Sequence, residues 1–209
     1  MSQRVLKIFS KFILIFCFFM GAAYASAPAV QNPQVFVQGI VTSLQGQIQG
    51  KQEQLTANPN QLYAIIRTTV MPCVDINRMA GLALGPKWRA ATPTQQQDFV
   101  NAFGLLLTKT YANTIVKISD YEITVSPVRG DTWQTSQYVA VNGAVVSQSN
   151  GQKSNLTYYL ERSGNSWKIY DLAIEGVSFL KNYQSQFQTF NDMNALLVKL
   201  AQLNSGVNA

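Results

Sequence analysis

The 209-residue chain contains no histidine, which excludes Ser-His-Asp and Cys-His catalysis, histidine metal sites and the usual general base at neutral pH. Its 16 lysines and arginines exceed its 10 acidic residues. They are scattered along the chain, which excludes the clustered basic surface of a nucleic-acid-binding protein or of a basic membrane-surface helix. Serine–lysine and paired-carboxylate chemistry remain open.

The N-terminus has the three parts of a secretory signal peptide. Basic residues at positions 4, 7 and 11 precede an apolar run, Phe12–Met20, that is shorter than a membrane-spanning helix needs. Small residues at positions 23, 25 and 27 then offer two cleavage sites. We predict a cleaved signal peptide over residues 1–25 and one domain over residues 26–209. A retained membrane anchor is the alternative, and a lipoprotein signal is disfavoured because the bulky Phe16 precedes Cys17.

Export changes the charge and the cysteine content of the chain. Loss of the signal peptide leaves 13 basic against 10 acidic residues, and Cys73 becomes the sole cysteine. No intramolecular disulfide is then possible, so the hydrophobic core must hold the fold. Cys73 is interpreted as a small buried residue, with a reactive thiol as the alternative. We place the mature protein in the periplasm of a bacterial envelope.

Three helices are predicted in the first part of the mature chain. The first has apolar residues at helical spacing over residues 36–48. The second covers residues 58–71, with Pro59 in its first turn. The third is short, covers residues 74–84 and ends at Gly85-Pro86, a strong stop signal.

The fourth predicted helix is the longest and the most apolar, and it extends to residue 119. Thr92, Pro93 and Gln95 provide its N-cap, first turn and capping box. Apolar residues recur at every fourth position from Phe99 to Ile115, and neighbouring leucines widen the apolar face. Such a helix is either buried on most sides or lines an apolar cavity.

After residue 119 the apolar pattern changes to a period of two, which predicts four strands. They cover residues 121–128, 135–149, 154–162 and 166–175. Each of the three turns between them contains a glycine, and such short turns predict an antiparallel meander. Two helices, Phe179–Phe190 and Ala195–Leu203, close the chain. We therefore predict an α+β fold, in which a helical N-terminal half and the C-terminal helices pack on a four-stranded antiparallel sheet.

The junction DLAIEGVSFLKNY, residues 171–183, has the strand–turn–serine–helix order of a nucleophile elbow. That motif needs a second glycine two residues after the serine, where this chain has Leu180, and it needs a proton acceptor. We therefore interpret Ser178 as a helix N-cap that accepts a hydrogen bond from the backbone N–H of Lys181. Gly176 supplies the permissive turn. A histidine-free hydrolase that uses Ser178 is an alternative.

Two acidic residues and two tryptophans are further candidates for chemistry. Asp171 and Glu175 lie four apart on a predicted strand, so both would point to one face and could act as a glycosidase-like pair. A buried acid that holds backbone amides near the turn is the favoured interpretation. Trp88 and Trp167 could stack on sugars, but large aromatic residues are usually core. The sequence contains no recognisable metal-ligand cluster or phosphate loop.

Two blocks of the mature chain are distinctive. They are residues 58–112, NPNQ to TKTYA, and residues 167–187, WKIYDLAIEGVSFLKNYQSQF. The most specific positions are Leu84-Gly85, Trp88, Ala91-Thr92-Pro93, Gln96, Phe99, Phe103, Thr110-Tyr111-Ala112, Tyr170-Asp171 and Glu175-Gly176-Val177-Ser178. On these residues the sequence resembles, over nearly all of its mature length, the MlaC family of periplasmic phospholipid carriers, also known as Ttg2 auxiliary proteins.

The resemblance implies a carrier without catalytic residues or cofactors, which holds phospholipid as cargo in an apolar pocket between helices and a twisted sheet. It also implies exchange of lipid with an inner-membrane ABC-transporter complex and an outer-membrane lipoprotein–porin complex, which maintains outer-membrane lipid asymmetry. The physical argument agrees. A two-tailed lipid offers on the order of tens of methylene groups, each worth about 0.8 kcal/mol when buried.

We predict that apolar side chains of the long helix, the sheet and the strand-to-helix junction line this pocket, with headgroups near solvent. The predicted lipid-binding residues are Trp88, Phe99, Phe103, Leu106, Leu107, Tyr111, Val139, Val141, Tyr158, Leu160, Val177 and Leu180. The main alternative is an envelope protein-binding module without lipid cargo, in which the apolar helix is ordinary core.

Overall fold

A computed structural model describes residues 29–206, which form eight α-helices and a five-stranded sheet. The helices are α1 Pro33–Ile48, α2 Gln52–Ala57, α3 Pro59–Thr69, α4 Ile76–Leu84, α5 Pro86–Ala90, α6 Pro93–Ile115, α7 Phe179–Gln188 and α8 Met193–Ser205. The strands are β1 Tyr121–Val125, β2 Tyr138–Ser147, β3 Lys153–Ser163, β4 Ser166–Ile174 and β5 Val177–Ser178.

The predicted signal peptide, residues 1–25, lies outside the described residues. Within residues 29–206 no helix is both long enough and apolar enough to cross a bilayer.

The helices agree with the predicted order but include two that the sequence pattern did not indicate. The predicted N-terminal helices correspond to α1, α3, α4 and α6, and the Thr92–Gln95 capping box is present at the start of α6. The additional helices, α2 and α5, are six and five residues long. The chain does turn at Gly85, which has a φ of +56°, but Pro86 then starts α5. Helix α6 ends at Ile115, four residues before the predicted end.

The sheet is the predicted antiparallel meander, but it has five strands in the order β1-β2-β3-β4-β5, so the prediction of four is wrong. The fifth strand pairs Val177 with Ile174 across a two-residue turn. Both turn residues, Glu175 and Gly176, have positive φ, as a type I′ turn requires. A glutamate in this conformation is uncommon.

Helix α1 covers one face of the sheet. Val141, Leu160 and Trp167 are buried there against Phe36 and Val37 of α1, and we call this cluster the α1–sheet core. The chain before α1 is hydrogen-bonded to the β3–β4 turn and to the start of β4. The indole Nε1 of Trp167 donates to the carbonyl of Gln31 at 2.8 Å, and the backbone N–H of Gln31 donates to the carbonyl of Asn165 at 2.8 Å.

A β-bulge at Tyr170 changes which face of the sheet the end of β4 presents. Leu160 of β3 pairs with Ile169, whereas its neighbour Tyr159 pairs with Asp171, so Tyr170 is an extra residue in β4. Side chains alternate between faces along a strand. Ile169 therefore shares the α1 face with Leu160, while Asp171 is turned to the opposite face with Tyr159.

Helices α4, α6, α7 and α8 form a second cluster, which we call the helical core. Its centre is aromatic. Phe103 lies 5.5 Å from Phe99, 5.1 Å from Tyr183 and 5.4 Å from Phe187, measured between ring centroids. A third cluster, the α3 core, joins the end of α1 to α2, α3 and the end of α6 through Leu44, Ile48, Leu55, Leu62, Ile66, Ala112 and Val116.

Replacing Phe103 by alanine should lower the free energy of unfolding by about 3–5 kcal/mol, because the ring is fully buried and its neighbours cannot refill the space. Urea denaturation measures this difference. Val35→Ala, at a position 58% exposed on α1, is the matched control and should change it by less than about 0.5 kcal/mol. Equal effects of the two substitutions would contradict this packing.

Candidate functional site

The twelve predicted lipid-binding residues divide between two cores, except for one exposed residue in β5. Seven lie in or against the helical core: Trp88, Phe99, Phe103, Leu106, Leu107, Tyr111 and Leu180. Four lie in or against the α1–sheet core: Val139, Val141, Tyr158 and Leu160. The remaining residue, Val177, is in β5 and is 66% exposed. The structure therefore brings most of the set together, but as two groups rather than one.

The two surface depressions described for residues 29–206 do not coincide with the enclosed pocket predicted between helices and sheet. Within each of the two groups the side chains pack in or against a core, and Phe103 and Leu160 have no exposed surface. Two surface depressions have volumes of about 870 and 310 Å³, and neither is lined by any of the twelve predicted residues. The larger lies beside α2, and the smaller lies between α3 and α6.

The junction around Ser178 is built on a buried carboxylate. Asp171 is 8% exposed and accepts hydrogen bonds from the backbone N–H groups of Leu172 and Leu180, at 2.8 and 3.0 Å. The Ser178 hydroxyl donates to Asp171 at 2.5 Å and accepts from the backbone N–H of Lys181 at 3.0 Å. The predictions that Ser178 caps α7 and that a buried acid holds backbone amides near the turn are both confirmed.

Glu175 does not act together with Asp171. It lies in the exposed β4–β5 turn, and its carboxylate accepts a hydrogen bond from the backbone N–H of Asn155 on β3. The backbone N–H of Glu175 also donates to the carbonyl of Asn155, at 3.0 Å. These bonds offset the cost of its left-handed backbone. The predicted placement of both carboxylates on one face of a strand is wrong, because the strand ends at Ile174.

Arg78 of α4 joins the helical layer to the face of the sheet opposite α1. Its guanidinium lies 4.7 Å from the ring centroids of both Tyr138 and Tyr170. It also forms an ion pair with Glu161, 3.1 Å between Nη1 and Oε2. Tyr170 reaches this cluster from the bulge position. The cluster was not predicted from the sequence, because its residues come from α4, β2, β3 and β4 and share no local pattern.

The remaining chemical candidates have structural roles. The thiol of Cys73 lies 3.6 Å from the carbonyl of Thr69, and burial raises its pKa, which disfavours the thiolate. Trp167 is 1% exposed and belongs to the α1–sheet core, and the partly buried Trp88 packs against the helical core, so both have the packing role that the sequence favoured. Within the described residues no three cysteine, aspartate, glutamate or histidine side chains are placed to hold a metal ion.

Tyr158 is the polar member of the predicted set on the α1 side of the sheet. Desolvation of its phenol raises the pKa of Tyr158 to about 12, which disfavours the phenolate further. Tyr158 packs as a neutral phenol against Val141, Leu160 and other apolar residues of the α1–sheet core.

Comparison with known proteins gives consistent results. The MlaC protein family matches residues 38–203. The toluene tolerance protein ttg2D of Pseudomonas putida is 31% identical over 160 residues, which cover 76% of this chain and 73% of that protein. The intermembrane phospholipid transport system binding protein MlaC of Haemophilus influenzae is 28% identical over 162 residues, covering 75% and 73%.

A solved structure is similar over most of the chain. It is the phospholipid-binding protein from Ralstonia solanacearum in complex with a phospholipid, which superposes with a TM-score of 0.75 at 26% sequence identity. The match covers 85% of this chain and 99% of that one.

Asp171→Ala should destabilise the protein by about 3 kcal/mol, because it leaves a buried backbone N–H without an acceptor. Thermal or urea unfolding measures the loss. Asp192→Ala is the matched control, since Asp192 is an exposed N-cap that accepts one bond, from the Ala195 N–H, and should cost only about 1 kcal/mol. Equal losses would mean that Asp171 does not hold the junction together.

Arg78→Ala should lower the free energy of unfolding by about 1–2 kcal/mol, because it removes two cation–π contacts and a partly buried ion pair. A double-mutant cycle with Glu161→Gln isolates the ion pair, and we expect a coupling of about 0.5–1 kcal/mol. A coupling of zero would mean that Glu161 contributes nothing to the attachment of α4.

Proposed function

The chain belongs to the MlaC family, and from this premise we propose that it is a phospholipid-binding shuttle of an intermembrane lipid transport system. The likeness to a protein in complex with a phospholipid, over 85% of this chain, is the observation that carries the proposal. The names of the Pseudomonas and Haemophilus relatives support the same role. The cargo is phospholipid, and no cofactor takes part.

The proposed location is the periplasm, after removal of residues 1–25 and with residues 26–209 acting as one domain. The proposed partners are an inner-membrane ABC-transporter complex and an outer-membrane lipoprotein–porin complex, with which the carrier exchanges lipid to maintain outer-membrane asymmetry. Family membership supports these partners.

We propose that the acyl chains contact the predicted residues in two places, among those of the helical core and among those of the α1–sheet core, because these two groups lie on opposite faces of the sheet. Leu107, Tyr111 and Tyr158 are only partly buried, so their side chains can turn toward a ligand with less disruption than the fully buried ones. Lipid entry requires apolar side chains to part. Contacts with the acyl chains then replace the contacts between side chains, at about 0.8 kcal/mol for each buried methylene.

The proposed role is non-catalytic. The Ser178 hydroxyl donates to Asp171 and accepts from the Lys181 N–H, and Asp171 also accepts from the backbone N–H groups of Leu172 and Leu180, so the pair holds the start of a helix. No described observation favours the protein-binding alternative over the carrier.

Purified mature protein should carry phospholipid. Extraction with organic solvent followed by mass spectrometry would detect the cargo, and delipidated protein should take up phospholipid from liposomes. Absence of lipid in the extract together with failure of uptake would overturn the proposed function.

Leu107→Glu should reduce lipid uptake by at least about tenfold, because a carboxylate in contact with acyl chains loses its hydration. Uptake of a fluorescent phospholipid from liposomes measures the effect, and circular dichroism checks the fold. Val198→Glu, at a position 59% exposed on α8, is the matched control and should retain uptake. Normal uptake by a folded Leu107→Glu variant would remove Leu107 from the site.

A further inference from the structure

The smaller surface depression, of about 310 Å³, is a groove between α3 and α6. Its lining includes Tyr63 and Arg67 from α3, Met71 from the following turn, Ile76 from α4, and Gly104 and Leu105 from α6. Tyr63 and Arg67 are four residues apart and therefore lie on the same side of α3. None of these six residues belongs to the predicted lipid-binding set.

The groove lies where two separately packed cores meet. Ile76 packs against the helical core, and Val100, which also lines the groove, is buried within it. Tyr63 packs against the α3 core on the other side. A ligand in the groove would therefore contact both cores at once without separating the side chains within either.

Gly104 is the lining residue of the groove that has no side chain. It lies in the middle of α6, where glycine is unfavourable relative to alanine. A Cβ atom at this position would come within 3.4 Å of Met71 Cε and 3.7 Å of Ile76 Cγ1. A side chain longer than that of alanine would therefore press on Met71 and Ile76, both of which line the groove.

The polar side chains of the groove are of two kinds. Those of Thr108 and Asn101 form hydrogen bonds within the protein, whereas Arg67 places a positive charge at the edge of the groove. The Thr108 hydroxyl donates to the carbonyl of Gly104 at 2.9 Å, and Asn101 Oδ1 accepts from Gln97 at 3.1 Å. Arg67 is exposed, and no carboxylate of residues 29–206 forms an ion pair with it. The groove therefore combines an apolar floor with an available guanidinium.

We propose that this groove binds one acyl chain of a phospholipid and that Arg67 pairs with the phosphate of the same lipid. The proposal rests on the proposed function and adds a site outside the predicted set. An apolar chain with an anionic group at one end matches an apolar floor with a cation at the rim, and guanidinium pairs well with phosphate. The volume of the groove is at the small end of the range for ligand pockets. A helix of a protein partner, about 10–12 Å wide, would need a larger groove.

A photoreactive benzophenone side chain placed at Leu105, which is 43% exposed, tests occupancy directly. Full-length mature protein is incubated with liposomes of phosphatidylethanolamine and phosphatidylglycerol, irradiated and analysed by intact mass. We expect a mass increase of one phospholipid. The same group at Val198 on α8 is the control and should give none. Normal lipid uptake without a phospholipid adduct at position 105 overturns the groove site and leaves the proposed function standing.

Two substitutions test the chemistry of the groove. Gly104→Leu should abolish the adduct, because its side chain would press on Met71 and Ile76, which line the groove. Arg67→Gln should reduce adduct yield about three- to tenfold, whereas Arg129→Gln, which removes the same charge from an exposed loop, should not. A dialkyl lipid without phosphate should give the same low adduct yield whether or not the protein carries Arg67→Gln, because it has no anionic group for the guanidinium to bind.

Equal adduct yields from Arg67→Gln and Arg129→Gln would overturn the phosphate contact. Should Gly104→Leu fail to fold, the benzophenone and Arg67 measurements decide the question without it. Crosslinking of position 105 to a second protein in place of lipid, in the presence of both, would overturn the proposal in favour of a docking surface.

Discussion

The buried carboxylate of Asp171 joins the sheet to the helices, because it accepts bonds from β4, from Ser178 in β5 and from Leu180 in α7. Its position sets the start of α7, and α7 in turn places Leu180, Tyr183 and Phe187 in the helical core. A carboxylate that is removed from water needs such donors, so the chain can adopt few other arrangements at this corner. The serine that first suggested catalysis is part of the same network.

The bulge at Tyr170 makes that network possible. Without it, Asp171 would share the α1 face with Trp167 and Ile169, in a cluster made mainly of apolar side chains. With it, Asp171 faces α7, and Tyr170 itself contacts Arg78 of α4. One extra residue in one strand therefore separates an apolar face that packs on α1 from a polar face that anchors the other helices. The predicted lipid contacts on β2 and β3 lie on the face that packs on α1, apart from those of the helical core.

Local sequence signals predicted much of this fold. The capping box of α6, the N-cap of α7 and the meander were predicted from adjacent residues and were confirmed. Helices α2 and α5 are too short to show a helical period, and β5 has only two residues, paired through an unusual Glu-Gly turn. The division of the apolar residues into cores depends on strand register and the bulge, which are not local properties. A pattern identifies Phe103 and Leu160 as buried, but not as members of different clusters.

The attachment of Gln31 to Asn165 and Trp167 has a consequence for the order of folding. Phe36 and Val37 of α1 find their buried partners only in strands that are synthesised much later. The first helix of the described chain therefore cannot complete its packing until the polypeptide is made through β4. Contacts of such long sequence separation slow folding, because loop closure precedes any gain from packing. The chain from Gln31 through α1 is thus held by β4 and by the turn that precedes it, more than 100 residues away in the sequence.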